Sequence, residues 1–266
     1  MALPVGNPAD ASLFRCGVFW DPCGVSPCSP LFAWSDAINV RFGYWGDFVG
    51  NRRMIESVYG DQIGVAGKVG IVTNAGLAVV NIANWMDVFA TFGTSTIEVF
   101  GKGSETQIVR RVSFTPTFSW SVGARVTAYH CGPIYIGGEA QYLRTEPDLS
   151  AYYNSGSGVL TQFNNTNPMI WEEWQVGFGL SLQAINALGT SLIPYGAIKF
   201  SQGKFWLRSF QFTYDAVQHQ LPDLIPEQYF GYAFGVTWLA QQAMGVTLEG
   251  RWLDETGVFV SGEFKF

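Results

Sequence analysis

Apolar and polar residues alternate one by one along much of this chain from residue 36 onward. The clearest run places bulky apolar side chains at every second position, at Phe230, Tyr232, Phe234, Val236 and Trp238. Comparable runs cover 38–44, 118–127, 174–183, 244–252 and 258–266. Side chains of a β-strand point alternately to its two faces, so a period of two indicates strands with one apolar face. Several runs reach the ~9–11 residues of a tilted strand that crosses a membrane.

The apolar faces favour a membrane rather than a soluble β-sandwich. No stretch approaches the ~18–20 unbroken apolar residues of a transmembrane helix. Aromatic residues stand near strand ends, at Trp174, Trp238 and Trp252, as in the interfacial girdles of membrane barrels. The opposite faces are often Gly, Ser and Thr, which would leave a lumen open. The sequence therefore predicts an all-β fold, a transmembrane antiparallel β-barrel of about 12–16 strands.

The chain divides into two parts by composition. Residues 1–34 are rich in Pro, Gly, Ser and Cys and show no sustained period, which indicates an irregular segment at the periplasmic end. Residues 35–266 carry the alternation and form the predicted barrel. Short turns such as 241–242 and 254–255 contrast with polar segments at 146–170 and 215–228. Short periplasmic turns and long external loops are typical of outer-membrane barrels.

Composition narrows the function. Aromatic residues make up 16% of the chain and charged residues only 14%, against the ~25% charged residues of a soluble domain. The net charge of −6 argues against nucleic acid as a partner. Candidate catalytic pairs are weak: Glu172 and Glu173 would point to opposite faces of a strand, and His130 beside Cys131 lacks a third, orienting group. We therefore expect no enzyme, no cofactor and no metal site.

Four cysteines predict disulfide bonds in an oxidising compartment: Cys16, Cys23, Cys28 and Cys131. Their spacing does not fit a metal site, and unpaired thiols are the alternative. The first three precede the first strand and Cys131 lies in a tight turn, so we expect all four at the periplasmic rim. Three intramolecular pairings are possible. A Cys23–Cys28 bridge with a Cys16–Cys131 tether is one hypothesis, and bonding between chains is its main rival.

Several segments resemble the chlamydial major outer membrane protein family, in the family's order: Leu3–Ala9, Gly43–Phe48, Phe118–Arg125 and Glu249–Glu255. The resemblance spans nearly the whole chain. It implies a disulfide-bonded porin of the bacterial cell outer membrane, embedded in lipid and assembled as a homotrimer. This chain is shorter than the well-known members and has fewer cysteines, so extensive cross-linking and adhesion are less secure expectations here.

The function predicted first is passive diffusion of ions and small hydrophilic solutes. The candidate pore-lining residues are inward-facing charges of both signs: Arg41, Asp47, Arg125, Glu139, Lys199, Glu249, Arg251, Glu263 and Lys265. The alternative is a structural envelope protein, rigid through disulfide cross-linking and with a possible adhesin role. A lumen filled by residues 1–34 or by an inward loop would favour that alternative. A soluble β-sandwich lectin is the third reading.

Overall fold

A computed structural model describes residues 3–14, 38–56, 67–83, 85–102, 109–154, 159–162, 169–187, 189–207, 211–214, 217–220 and 223–266. In these ranges one short helix, α1 (Asp10–Leu13), is followed by 17 strands. Ten of the strands form the wall of a barrel: β1 (Ile38–Glu56), β2 (Lys68–Ile82), β3 (Met86–Lys102), β5 (Thr117–Cys131), β6 (Ile134–Thr145), β9 (Ile170–Leu182), β11 (Thr190–Trp206), β15 (Phe230–Ala240), β16 (Met244–Trp252) and β17 (Glu255–Lys265). The other seven are β4 (Val109–Phe114), β7 (Leu149–Asn154), β8 (Val159–Gln162), β10 (Ile185–Ala187), β12 (Gln211–Tyr214), β13 (Val217–Gln220) and β14 (Leu224–Pro226).

The barrel closes between its first and last strands. β1 pairs antiparallel with β2 on one side and with β17 on the other, so that Arg41 lies opposite both Val79 and Lys265. The ring then runs β1, β17, β16, β15, β11, β9, β6, β5, β3, β2 and back to β1. The predicted all-β transmembrane antiparallel barrel is confirmed. The strand number differs: ten strands close the ring rather than the expected 12–16, because the other seven described strands lie outside it.

The two ends of the barrel differ. At one end, here called the turn end, β1 begins, β17 finishes, and short connections join β2 to β3, β5 to β6 and β15 to β16. At the opposite loop end, β4, β7 and β8 extend the sheet beyond the ring, and β14 pairs with both β1 and β11. Those two strands are four steps apart in the ring, so β14 lies across the opening.

The outer surface is an apolar belt. Alternate residues point away from the axis and leave large apolar side chains exposed, among them Phe92, Phe118, Phe178, Ile198 and Phe234, each more than half exposed. A belt of this kind is stable against lipid hydrocarbon, since water would not tolerate so much contiguous apolar area. None of the described helical residues forms a helix with the length and apolar character needed to cross a membrane.

Residues 3–14 lie inside the barrel. Leu3 is 1% exposed and Ala9 is fully buried, although neither belongs to the sheet. This differs from the expectation that the whole segment 1–34 lies at the periplasmic rim. The physical reason is the space left by inward-facing glycines, which residues 3–14 fill. Residues 15–34, with Cys16, Cys23 and Cys28, lie outside the described residues, and the placement of that part stays a prediction.

Candidate functional site

The candidate site is the barrel interior, because its inward positions carry charges rather than a purely apolar core. Burying a charge is costly unless an opposite charge and hydrogen bonds compensate it. The structure meets this requirement by pairing charges from different strands. The buried charged residues of the described strands and turns are Arg41, Asp47, Arg52, Asp87, Arg125, Glu139, Glu173, Lys199, Asp223, Glu249, Arg251, Asp254, Glu255 and Glu263.

One group of charges lies toward the turn end and is called the turn-end layer: Asp10, Arg41, Asp87, Arg125, Glu139 and Glu263. Arg41 pairs with Asp87 and lies 2.9 Å from Glu263. Arg125 pairs with Glu139 on the next strand at 2.6 Å and with Asp10 of α1 at 2.9 Å. Arg125 also lies 3.7 Å from Glu263, although β5 and β17 are four steps apart in the ring. The layer therefore bridges distant parts of the wall.

Asp10 is the titratable group of this layer that does not belong to a membrane-spanning strand. Burial raises the pKa of Asp10 to about 7. The guanidinium of Arg125 opposes that rise, while the carboxylate of Glu263 adds to it. Asp10 consequently changes its charge near neutral pH when it lies inside the barrel.

A second group, the loop-end layer, comprises Asp47, Arg52, Glu173, Lys199, Arg251, Asp254 and Glu255. Lys199 Nζ lies 2.6 Å from Glu255 and 2.9 Å from Asp254. Arg251 pairs with Asp47 and lies 3.1 Å from Glu255. All of these side chains are at most 2% exposed. Charges of both signs therefore meet in a volume that is closed to solvent in this conformation.

Arg52 and Glu173 complete the loop-end layer. Arg52 Nη1 donates to Glu173 Oε1 at 2.6 Å, and Arg52 Nη2 donates to the hydroxyl of Ser201 at 3.1 Å. The guanidinium also lies 6.0 Å from the ring centre of Trp171. The three strands that carry these groups are β1, β9 and β11, so the bridge crosses the lumen.

Apolar side chains fill the remaining space. Between the charged layers, Trp45 packs against Phe259 with ring centres 4.7 Å apart and stacks on Phe89 at 5.9 Å. At the loop end, Trp171 lies 5.3 Å from Phe205 within a large buried apolar cluster that also includes Leu3. The interior formed by the described residues is thus packed from end to end in this conformation.

Residues 3–14 are held largely through their backbone. One carboxylate, Glu249, accepts from Val5 N at 3.1 Å and from Gly6 N at 2.9 Å, and it also accepts from the hydroxyl of Tyr195 at 2.8 Å. Gly6 has φ +69°, a conformation that favours glycine, and a Cβ there would lie 3.1 Å from Cζ of Arg125.

Side chains of the wall also donate to backbone carbonyls of this segment. The four donor and acceptor pairs come from four different strands: Gln175 to Pro4 at 3.1 Å, Thr127 to Pro8 at 3.2 Å, Asn81 to Ala11 at 2.7 Å and Lys265 to Phe14 at 2.9 Å. An extended segment in a dry interior needs such partners, since buried backbone groups without them cost free energy. The wall supplies them along the length of the segment.

Inward-facing glycines leave the space in which residues 3–14 lie, and this binding surface of the wall, together with Glu249, is here called the seat. A Cβ added at Gly177 would lie 2.6 Å from a methyl of Val5, and one at Gly245 would lie 2.8 Å from the ring of Phe14. A Cβ at Gly137 would lie 2.2 Å from the carbonyl oxygen of Pro8. The small residues expected to keep a lumen open are therefore the ones that admit residues 3–14.

The nine predicted pore-lining residues all reach this interior. Eight of them are buried inside it, and Lys265 reaches it at the turn end through its bond to the Phe14 carbonyl. Their lining of a water-filled path stays a prediction. Sequence reasoning missed Asp10, Arg52, Asp87, Glu173, Asp254 and Glu255. Asp87 and Glu173 could have been found from the alternation, because each stands an even number of positions from the other inward-facing residues of its strand.

Cys131 is the last residue of β5 and lies at the turn end, beside the short connection to β6. It is not a free thiol. Its neighbour His130 stacks on Tyr135 with ring centres 4.2 Å apart. The pairing of the four cysteines stays a prediction. Among the described residues, no group of His, Cys, Asp and Glu side chains is arranged to hold a metal ion.

Comparison with known proteins supports the family resemblance. The family model for the Chlamydia major outer membrane protein matches residues 1–69. A major outer membrane porin of Chlamydia pneumoniae is 26% identical, with 100% of this chain and 94% of the relative covered. The serovar C major outer membrane porin of Chlamydia trachomatis is 24% identical, with 100% and 95% covered. The first alignment runs over 373 positions against 266 residues, so the relative carries additional segments.

Solved structures similar to this chain include the β domain of the Bordetella autotransporter BrkA. The TM-score is 0.44 at 10% identity, with 87% of this chain and 99% of that chain covered. A Salmonella typhi OmpF structure gives a TM-score of 0.23 at 10% identity, with 88% and 99% covered.

Proposed function

Since this chain is related along its whole length to the chlamydial major outer membrane proteins, we propose that it is an outer-membrane channel for passive diffusion of ions and small hydrophilic solutes. The observation that carries the proposal is the pair of charged layers inside the barrel. Well-packed apolar residues are often as stable as buried ion pairs, or more stable. A barrel that never admitted water would gain little from such a charged interior. The charges fit an interior that becomes hydrated in another state.

The path would be lined by both signs of charge. Arg41, Arg125, Lys199 and Arg251 provide cations, and Asp47, Glu139, Glu249 and Glu263 provide anions, with Lys265 at the turn end. Ion selectivity in channels follows from rings of one charge sign or from a narrow coordinating filter. A mixed lining therefore supports weak selectivity between cations and anions.

Planar-bilayer recording of the refolded protein tests the channel. We expect discrete conductance steps, and in a salt gradient a reversal potential close to zero. A heat-modifiable band on a detergent gel verifies beforehand that the barrel is folded. If folded protein gives no conductance steps under any voltage or pH, the channel proposal fails.

A second candidate function is a structural barrel of the envelope. The observation that favours it is the filled interior, closed by residues 3–14 and crossed by the Arg52–Glu173 pair. Liposome swelling separates the two functions: a channel admits small sugars and a structural barrel does not. Swelling no faster than that of protein-free liposomes, from barrels verified as folded, would favour the structural role.

We also propose a homotrimer, on the basis of the family resemblance, and a tether between Cys16 and Cys131 with a bridge between Cys23 and Cys28. The path of residues 3–14 supports the tether. Tyr135, four residues after Cys131, packs against the buried cluster that contains Leu13 and Phe14, so the last described residues of the segment lie at the same end of the barrel as Cys131. Native mass spectrometry in detergent would give the number of chains in the assembly.

A further inference from the structure

The seat of residues 3–14 is a peptide-binding site built into the barrel wall. Glu249 binds two consecutive backbone N–H groups, and side chains from four strands bind four carbonyls along the segment. Asn7 adds a specific contact, since its side-chain nitrogen donates to the hydroxyl of Thr237 at 3.0 Å. Recognition by so many wall residues indicates a defined docked position rather than a loosely trapped segment.

The wall does not need the segment for closure. All ten wall strands pair with their neighbours through the sheet, and residues 3–14 contribute no strand to the ring. The groups that hold the segment also have partners on the wall. Arg125 has Glu139 at 2.6 Å, and Glu249 has the hydroxyl of Tyr195 at 2.8 Å. Departure of the segment would therefore leave the main charges paired, and the barrel can exist with the seat full or empty.

We propose that residues 3–14 are a reversible plug, which closes the channel when docked on the Glu249 seat and, when it leaves, vacates the lumen from Leu3 in the loop-end apolar cluster to Phe14 at the turn end. This inference rests on the proposed channel function. The plug is held by hydrogen bonds, by the Asp10–Arg125 pair and by apolar contacts, without being part of the sheet. Those contacts can exchange for water without breaking a hydrogen bond between wall strands, whereas each wall strand is paired on both sides.

A disulfide between the plug and the wall tests the proposal. A Cβ at Gly177 would lie 3.5 Å from Cβ of Val5, within the usual range for a disulfide. In the double variant Val5→Cys, Gly177→Cys we expect a bridge to form under oxidation and conductance to fall at least tenfold. Reduction should restore it. Wild-type protein and the single Val5→Cys variant, treated in the same way, show any effect of the native cysteines.

A release variant gives the opposite test. In Gly177→Val the new side chain collides with Val5, to which the three atoms nearest the added Cβ belong, so we expect the plug to leave and the open fraction to rise. Gly262→Val on β17 is the control, because no atom beyond its chain neighbours lies within 4 Å of its added Cβ and its side chain would point away from the lumen.

The outcomes separate the two proposals. If the cross-linked barrel conducts as well as the reduced one, or if the bridge does not form, the plug is overturned and the channel stands. If the wild type, the reduced double variant and Gly177→Val are all folded and none conducts, the channel proposal fails. The plug proposal then fails as well, because it depends on the channel. Equal open fractions in Gly177→Val and Gly262→Val would also overturn the plug.

Discussion

Arg52 and Glu173 form an ion pair from opposite sides of the barrel. Their strands, β1 and β9, are five steps apart in the ring in either direction, yet Nη1 and Oε1 are 2.6 Å apart. Both side chains are fully buried. The contact spans the lumen at this level.

Removing one charge of this pair should destabilise the barrel. Glu173→Gln leaves the guanidinium of Arg52 without its nearest carboxylate, and breaking a buried pair in this way costs about 3–5 kcal/mol. The double variant Arg52→Met, Glu173→Leu leaves no unpaired charge and should recover most of that loss. Urea titration of the folded band on a detergent gel measures both effects. Equal midpoints for the single variant and the wild type would show that the pair contributes nothing.

Acidification should close the channel, because docking of the plug takes up a proton at Asp10. The pKa of Asp10 is 3.8 in the free segment and rises to about 7 in the docked one. Docking is therefore weakest above pH 7 and strengthens by roughly tenfold for each pH unit below it, until the free group also protonates near pH 4. The charged groups that act on Asp10 come from four strands: Arg125, Glu263, Arg41 and Asp87.

Conductance recorded between pH 8 and pH 5 checks this prediction. We expect the open fraction to fall with pH in the wild type. Asp10→Asn carries no proton to exchange and should keep a low, flat open fraction across the same range. A wild-type open fraction that rises on acidification would contradict the assigned role of Asp10.

The cysteine tether should limit how far the plug can move. If Cys16 and Cys131 are joined, Cys131→Ser releases the outer end of the plug, and the open fraction should rise by a few-fold. Peptide mapping under non-reducing conditions should recover the Cys16–Cys131 pair together with Cys23–Cys28. Recovery of Cys131 bonded to a cysteine of another chain would replace the tether with a link between barrels.

The lipid-facing belt should not tolerate a charge. Phe178 on β9 is 56% exposed on the outer surface. Phe178→Arg would place a guanidinium in hydrocarbon, at a cost of about 2–4 kcal/mol near the bilayer midplane. We expect a smaller yield of heat-modifiable barrel in phospholipid vesicles, with Phe178→Leu as the control. Equal yields from the two variants would show that this face is not in lipid.

The sequence alone determined the fold class, because strict alternation and a shortage of charge leave few stable alternatives to a barrel in lipid. It also placed eight charged residues on the buried interior and Lys265 at its end, since alternation assigns a face to each residue of a regular strand. The alternation along β1 did not identify Arg52 as an inward-facing residue. β1 has a bulge between Val49 and Asn51, which reverses the alternation and turns Arg52 and Met54 inward.

Only the tertiary structure decided what fills the barrel. The period-two pattern describes each strand by itself and carries no information on contacts between residues hundreds of positions apart, such as Val5 and Glu249. Residues 3–14 have no period, and their place depends on the space beside Gly177 and Gly245 and on wall side chains that complete their backbone hydrogen bonds. The same interior glycines are compatible with an open lumen or a filled one, and the choice between them is made by three-dimensional packing.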